Sequence, residues 1–313
     1  MSVEAPLVSI VTPSFNQARF LEETIRSVLE QDYPRIEYAV VDGGSSDGSV
    51  EIIERYADRL AWWVSEPDGG QPEAINTGFA RSGGVLMGFL NSDDTLLPGA
   101  VSRLVAALAE DPDALVAYGD VRFVDEDGET VRDGTPRVWD AGEMARCGSG
   151  SVLQPASLWR RAAWDLAGPM DERFQYVFDT LFFLCVAARG GGAAYVPEQL
   201  ATYRVHPESK SARMSELPHA DECIRVADEF FRDPALPAQL RPHARAARAA
   251  YYRRAALALY NAGEVSRARS AFLRSLLLRP RMSWRTARYM ARTLLPRRLV
   301  LARRRWRVYL RAR

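Results

Sequence analysis

Lysine and cysteine are nearly missing from this 313-residue chain: Lys210 is the single lysine beside forty arginines, and only Cys147, Cys185 and Cys223 carry thiols. Three widely spaced cysteines without a C-x-x-C pair exclude a disulfide framework and a structural zinc site, and point to a reducing compartment. No stretch reaches the ~18 uninterrupted apolar residues of a membrane-spanning helix. The N-terminus, MSVEAPLVSIVTPSF, lacks the basic and apolar regions of a secretion signal, so a cytoplasmic location is expected. Neither G-x-G-x-x-G nor G-x-x-x-x-G-K-[ST] occurs, which removes the two glycine-rich backbone cradles for a pyrophosphate.

What is present is an ordinary globular composition, 47% hydrophobic and 26% charged. The length allows one large α/β domain with an extension. The net charge of +1 hides an asymmetry, because residues 281–313 hold twelve arginines and no carboxylate. That leaves 29 basic and 40 acidic side chains, a net of −11, on residues 1–280. An acidic body argues against nucleic acid as a partner.

Along residues 1–120, short β-branched runs alternate with helical patterns: Leu7–Thr12, Glu37–Asp42, Ala61–Ser65, Val85–Leu90 and Leu115–Tyr118, with helices from about Phe20, Gly48, Gln71 and Pro98. This predicts a doubly wound parallel sheet. Asp125–Gly128 reads as a hairpin turn that adds antiparallel strands. Between Thr135 and Gly168 the pattern weakens into loop and short helix. A helix follows over Phe178–Arg189, then a short edge strand Ala193–Val196, and Ala201–Val205 leads into His206. From Leu217 onward the pattern is helical. The expected division is 1–212, 213–280 and 281–313.

Ligands of such sheets bind beyond the carboxyl ends of the strands. Here those ends carry Pro13-Ser14-Phe15-Asn16, Asp42-Gly43-Gly44-Ser45-Ser46-Asp47-Gly48, Glu66-Pro67-Asp68-Gly69-Gly70 and Asn91-Ser92-Asp93-Asp94. Each alone is an everyday turn or helix cap. Four on one edge form a polar site. Asp93 and Asp94 offer hard oxygens to Mg²⁺ or Mn²⁺, and His206 offers an imidazole that would favour Mn²⁺. Such an ion would let an acidic body accept an anionic nucleotide.

The segments VSIVTPSFNQARFLEETIRSVLEQDYP, VVDGGSSDGS, SEPDGGQPEAINTGFARSGG and FLNSDD, in this order over roughly residues 6–210, resemble the family 2 glycosyltransferases. The resemblance implies the GT-A fold, a mixed sheet flanked by helices, here with an all-helical C-terminal extension. It also implies inverting transfer from a nucleotide-diphosphate sugar, with a UDP-sugar expected, to a glycan or lipid-linked acceptor. Thr12, Pro13 and Asn16 match the motif beside the nucleoside, Asp42 the carboxylate that reads the base edge, and Asp68 the acid near the nucleoside. Asn76 falls in the same donor-binding set. Asn91-Ser92-Asp93 occupies the D-x-D position with asparagine in the first place, leaving Asp93 as the metal ligand and Asp94 beside it.

Asp179 matches the catalytic base, which takes the acceptor hydroxyl's proton. The simpler reading of Asp179 is a first-turn carboxylate favoured by the helix dipole. Tyr203-Arg204-Val205-His206-Pro207-Glu208-Ser209-Lys210-Ser211 resembles the closing motif, whose histidine faces the diphosphate and metal; Lys210 is either a phosphate contact or an exposed loop residue. Gln154-Pro155 resembles a stretch lining the acceptor pocket. The pairs Trp62-Trp63, Phe182-Phe183 and Tyr251-Tyr252 read as packing.

Residues 246–280 resemble one tetratricopeptide-like helix pair. Beyond them, Arg285, Arg288 and Arg292 share one helical face and Ala287, Met290, Ala291 and Leu294 the other. After Pro296, Leu299, Ala302, Trp306 and Tyr309 form an apolar stripe among arginines. This tail suits peripheral contact with an anionic membrane, or packing on the acidic body. Two rival functions remain in view. A nucleotide-sugar-forming nucleotidyltransferase would need a glycine- and lysine-bearing triphosphate loop, which PSFNQARF does not supply. A non-catalytic carbohydrate-binding or scaffold protein would have no use for Asp42, Asp93, Asp179 and His206 together.

Overall fold

The computed structural model describes residues 5–147, 151–210, 212, 217–280 and 283–294. β1 (Val8–Ser14) is buried along its whole length, as an apolar run without alternation requires when both faces of a strand are covered. It pairs in parallel with β2 (Ile36–Asp42), in a register running from Val8↔Ile36 to Ser14↔Asp42. α1 (Ala18–Leu29) turns Phe20, Leu21, Thr24, Ile25 and Val28 inward, one face of a 3.6-residue period. This face shares a core with Val8, Ile10, Tyr38 and Val40.

α2 (Ser49–Arg55) and β3 (Trp62–Ser65) follow, then α3 (Gln71–Ala80) and β4 (Leu86–Phe89). α3 lies against Val11, on the other face of β1. A Cβ at Gly78 would stand 2.5 Å from a Val11 methyl, so only glycine lets helix and strand approach so closely.

The chain continues through β5 (Thr95–Leu96), α4 (Ala100–Glu110), β6 (Ala114–Val124), β7 (Thr130–Gly134), α5 (Ala141–Cys147), β8 (Ser157–Arg160), α6 (Arg161–Ala167), α7 (Phe178–Ala188) and β9 (Gly192–Arg204). Among the described residues these strands form one sheet, ordered β3-β2-β1-β4-β8-β6-β9-β5, with β7 hairpinned onto β6. β1 to β4 pair in parallel, β8 enters antiparallel between β4 and β6, and β6 and β9 are parallel to each other. β1, β2, β3, β4, β6 and β9 therefore point the same way. Their last residues, Ser14, Asp42, Ser65, Phe89, Val124 and Arg204, open on one edge.

Two sequence expectations change. The segment read as loop around residues 135–168 contains β8, whose Trp159 is fully buried among the rings of Phe79, Phe89, Phe182 and Phe183. A four-residue strand buried on both faces shows no alternation, so periodicity passes over it. The short edge strand expected at Ala193–Val196 is part of a longer strand, β9, which runs on through Ala201–Arg204 and is interior to the sheet. Its register against β6 shifts at Gly119/Asp120 and Asp120/Val121, and Pro197 and Glu198 at that irregularity had hidden its continuity.

The chain divides into two compact units, Met1–Met144 with Ser149–His206, and Ala145–Gly148 with Pro207–Arg313. In the second, α8 (Leu217–Asp228) precedes a hairpin of α9 (Arg241–Ala262) and α10 (Val265–Leu278) and then α11 (Trp284–Thr293). Gly263 makes the α9–α10 turn possible at φ 87°. Ala256, Leu259, Ala268, Ala271 and Phe272 fill the space between the two helices.

Candidate functional site

At the shared edge the first two strand ends are tied together before any ligand arrives. Thr12 is buried and hydrogen-bonds through its hydroxyl to the Tyr38 hydroxyl, 2.9 Å away, and Pro13 is buried beside it. Asn16 adopts a left-handed backbone with φ 51°, a conformation asparagine tolerates better than most residues. In it, the Asn16 amide donates to Ser45 Oγ at 2.7 Å and its side-chain oxygen accepts from the Ser46 amide at 2.9 Å.

Asp47 holds two helix starts at once, accepting from the Ala18 amide of α1 at 2.9 Å and from the Ser49 amide and hydroxyl of α2 at 3.1 and 2.6 Å. Partial burial pushes its carboxyl up. The Ser49 hydroxyl and the Ala18 and Ser49 amides outweigh this and leave it below the usual aspartate range.

Asp42 is fully buried. It accepts from the Gly44 and Ser45 amides and from the hydroxyls of Ser45 and Ser65, at 3.1, 2.8, 2.6 and 2.7 Å. A carboxylate so engaged shapes the 43–46 loop rather than offering open lone pairs to a base. Asp68, by contrast, is exposed. It caps the Gly70 amide at 2.8 Å and lies over Gly43, where a Cβ would meet its oxygens at 3.1 and 3.2 Å. Directly after β1 the Phe15 ring stands 60% exposed. Sequence reasoning passed over Phe15 because it sits in a motif of polar residues; an aromatic side chain at the mouth of a strand end was the signal.

The end of β4 carries the acidic turn. Asn91 accepts from the Gln71 side chain at 2.5 Å and donates to Asp94 Oδ2 at 3.1 Å. Ser92 is buried beside it. Asp94, expected as a second metal ligand, is buried with its other oxygen accepting the Arg204 amide at 2.8 Å. Burial, and then the charge of Asp93, push its carboxyl well above the usual range, against the hydrogen bonds from Arg204 and Asn91. Asp94 thus joins the turn to β9. Asp93 is the partly exposed member, its Oδ2 3.1 Å from His206 Nε2.

The buried His206 ring packs on Phe20 with 4.8 Å between centroids. The Arg204 guanidinium lies over the same phenyl at 4.9 Å, donates to the Asp93 carbonyl at 3.0 Å and pairs with Glu23 at 2.6 Å. Arg204 was not singled out from the sequence; its place between the two ionisable motifs was the available sign.

Among the described residues no three His, Cys, Asp or Glu side chains gather closely enough to enclose a cation by themselves. One carboxylate and one imidazole at contact distance do fit a hard divalent ion that completes its shell with substrate phosphates and water.

Asp179 sits in the first turn of α7, its carboxylate accepting the Thr180 amide at 2.6 Å. The neighbouring Phe178 ring packs on Phe89 at 6.0 Å, which sets the start of α7 beside the end of β4. Gln154 donates from its side chain to the Phe89 carbonyl, and Gln175 bridges from the segment before α7 to the Gly69 carbonyl at 3.1 Å. Asn76, expected to bind the donor, donates to the Met170 carbonyl and Glu172 and accepts the Met170 amide, all within 2.9 Å. Lys210 is exposed beyond His206. The expected stripe of Leu299, Ala302, Trp306 and Tyr309 lies outside the described residues.

The family model described as "Glycosyl transferase family 2" matches residues 9–186. An uncharacterized glycosyltransferase of Mycobacterium tuberculosis is 44% identical over 107 residues; the match covers 34% of this chain and 41% of that protein, so the chain spans less than half the length of this relative. Among solved structures, a mannosyltransferase from Pyrobaculum calidifontis in complex with GDP-Man and Mn²⁺ superposes with a TM-score of 0.58 at 20% identity, covering 92% of this chain and 79% of that one. S. aureus TarS 1–349 in complex with UDP gives 0.53 at 17% identity, covering 86% and 88%. The sheet order and flanking helices are those of the GT-A fold.

Proposed function

The chain belongs to glycosyl transferase family 2, and from that premise we propose that it transfers a sugar, with inversion, from a nucleotide-diphosphate sugar to a hydroxyl of a glycan or lipid-linked acceptor. The observation that carries this reading is the Asp93–His206 pair at 3.1 Å, on the strand edge that also bears the start of α7 and Asp179. Asp93 and His206 would hold Mn²⁺ or Mg²⁺. Bound there, the ion supplies positive charge that offsets the diphosphate as it leaves.

Everything else is done by the chain. The exposed Phe15 ring stacks on the base, while the loops tied by Asn16, Asp42 and Asp68 fix the nucleoside. A UDP-sugar is the donor that fits the residues carried by the family resemblance. Asp179 accepts the proton of the acceptor hydroxyl as its oxygen bonds to the anomeric carbon. The bond from that carbon to the diphosphate oxygen breaks, and its electron pair leaves with the nucleotide diphosphate. A single displacement by one base inverts the anomeric centre.

A screen of UDP-, GDP- and dTDP-sugars, read by release of the nucleotide diphosphate with Mn²⁺ or Mg²⁺ present, tests the proposal. Metal-dependent release from one donor class is expected. No release and no binding of any of the three would overturn it.

A further inference from the structure

Among the described residues the helix α11 is packed on one side, and the side that faces out is largely apolar. Thr286 and Thr293 are buried, Tyr289 meets Tyr260 edge-on at 5.3 Å, and Arg269 donates to the Thr293 carbonyl at 3.1 Å. This leaves Trp284, Ala287, Arg288, Ala291 and Leu294 outward, spaced as one helical face. Trp284 is 73% and Leu294 65% exposed, and on the preceding helix α10 Leu273 and Leu277, one turn apart, are 44% and 77% exposed.

A helix at home in water hides its apolar stripe and shows its charges; α11 shows tryptophan, two alanines and leucine around Arg288. Along the sequence the charges from α10 onward have one sign, while in the fold Arg267 and Arg274 pair with Asp221 and Asp228 of α8. From Val265 to Arg313 there are sixteen arginines and no Asp or Glu, and the Arg288 guanidinium stands over the Trp284 ring at 5.0 Å.

We propose that the outer face of α11 lies flat on an anionic lipid surface, with Trp284 and Leu294 in the headgroup–acyl boundary and Arg288 and Arg292 on the phosphates. Charge selects this occupant, since the exposed Arg288 of α11, within a stretch of sequence rich in arginine and free of carboxylate, complements anionic lipid, at about 1 kcal/mol for each basic residue near it. Size weighs against a protein partner. A helix of ten residues is about 15 Å long, and a ridge that short is far from the roughly 800 Å² per side of a stable protein interface. Tryptophan is also the residue type that prefers the membrane–water boundary. The inference goes beyond the transferase reading and does not depend on it, because lipid binding needs neither donor nor metal.

The test uses the full chain, without nucleotide, on phosphatidylcholine vesicles with and without phosphatidylglycerol. Co-sedimentation is expected only with the anionic vesicles, weakened but not abolished when salt is raised, because apolar insertion is not screened. Trp284→Ser combined with Leu294→Ser is expected to reduce partitioning about tenfold with an unchanged thermal midpoint, since both side chains are exposed. In vesicles of brominated phosphatidylglycerol, the Trp284→Phe protein is expected to lose part of the tryptophan quenching seen in the unaltered chain.

Failure of the unaltered chain to sediment, equal sedimentation on neutral vesicles, or unaltered binding by the double variant would each overturn the proposal. So would a lipid-free dimer that the double variant dissociates, which would assign the face to a second copy of the chain. A donor screen that fails while vesicle binding succeeds would overturn the transferase reading alone.

Discussion

The Arg204 side chain donates from Nε to the backbone carbonyl of Asp93 at 3.0 Å, while its own backbone amide donates to the carboxylate of Asp94 at 2.8 Å. One residue at the end of β9 thereby grips both members of the acidic turn, and two residues further on His206 reaches Asp93. The same guanidinium covers Phe20, on which His206 packs, so the position of the imidazole and that of the carboxylate are coupled.

Arg204→Lys keeps the charge and removes the planar fork. Because hydrogen bonds from a charged donor contribute about 1.5–3 kcal/mol each, a loss of stability of about 1–3 kcal/mol is expected in urea unfolding. The Mn²⁺ concentration for half-maximal UDP binding is expected to rise about tenfold with a smaller change in kcat. An unchanged metal requirement would mean that Arg204 only holds the fold.

Asp93→Ala removes the partly exposed carboxylate proposed to hold the metal and leaves Asp94, whose oxygens are already engaged. Calorimetric titration with UDP is expected to lose its dependence on Mn²⁺, with affinity falling at least about tenfold. The same affinity with EDTA as with Mn²⁺ in the unaltered protein would remove the metal from the mechanism.

Asp179→Asn preserves shape and hydrogen bonding at the start of α7 but cannot accept a proton. Turnover with acceptor is expected to drop by roughly 10²–10⁴-fold while donor affinity stays put. Turnover within a few fold of the unaltered enzyme would assign Asp179 to the helix terminus alone.

Asp47→Ala strips a cap from α1 and another from α2, each contributing about 0.5–2 kcal/mol. Its carboxyl lies below the usual aspartate range in the folded protein, so its stabilisation is complete above that range and is lost as the pH falls through the lower folded value. Chemical unfolding at neutral pH is therefore expected to separate variant from parent, and the gap to narrow in acid. A constant gap across pH would show that the loss comes from packing.

Much of the edge was legible in the chain itself. Strand runs ending in Pro-Ser-Phe-Asn, Asp-Gly-Gly, Asp-Gly-Gly and Asn-Ser-Asp-Asp announce turns at four strand ends, because glycine, asparagine and aspartate are the residues that such turns use locally. Parallel strands joined by helices must then bring those turns to one side. Local chemistry could not say how far the later strands run or where they insert. β8 enters between β4 and β6 because Trp159 fills the space among four rings, and β9 continues through its irregular register because β6 is there to pair with it.

Side-chain commitment was equally hidden. Asp42, Asp94 and Asn76 have the composition signature of binding residues, and only the fold shows that Ser65, Arg204 and Met170 arrive from distant segments to hydrogen-bond with them. The pair Asp93 and His206 lies 113 residues apart in sequence. Residue type, written in the sequence, made each a candidate; the pairing of β5 with β9 and the stacking on Phe20, which exist only in the folded chain, brought carboxylate and imidazole within reach.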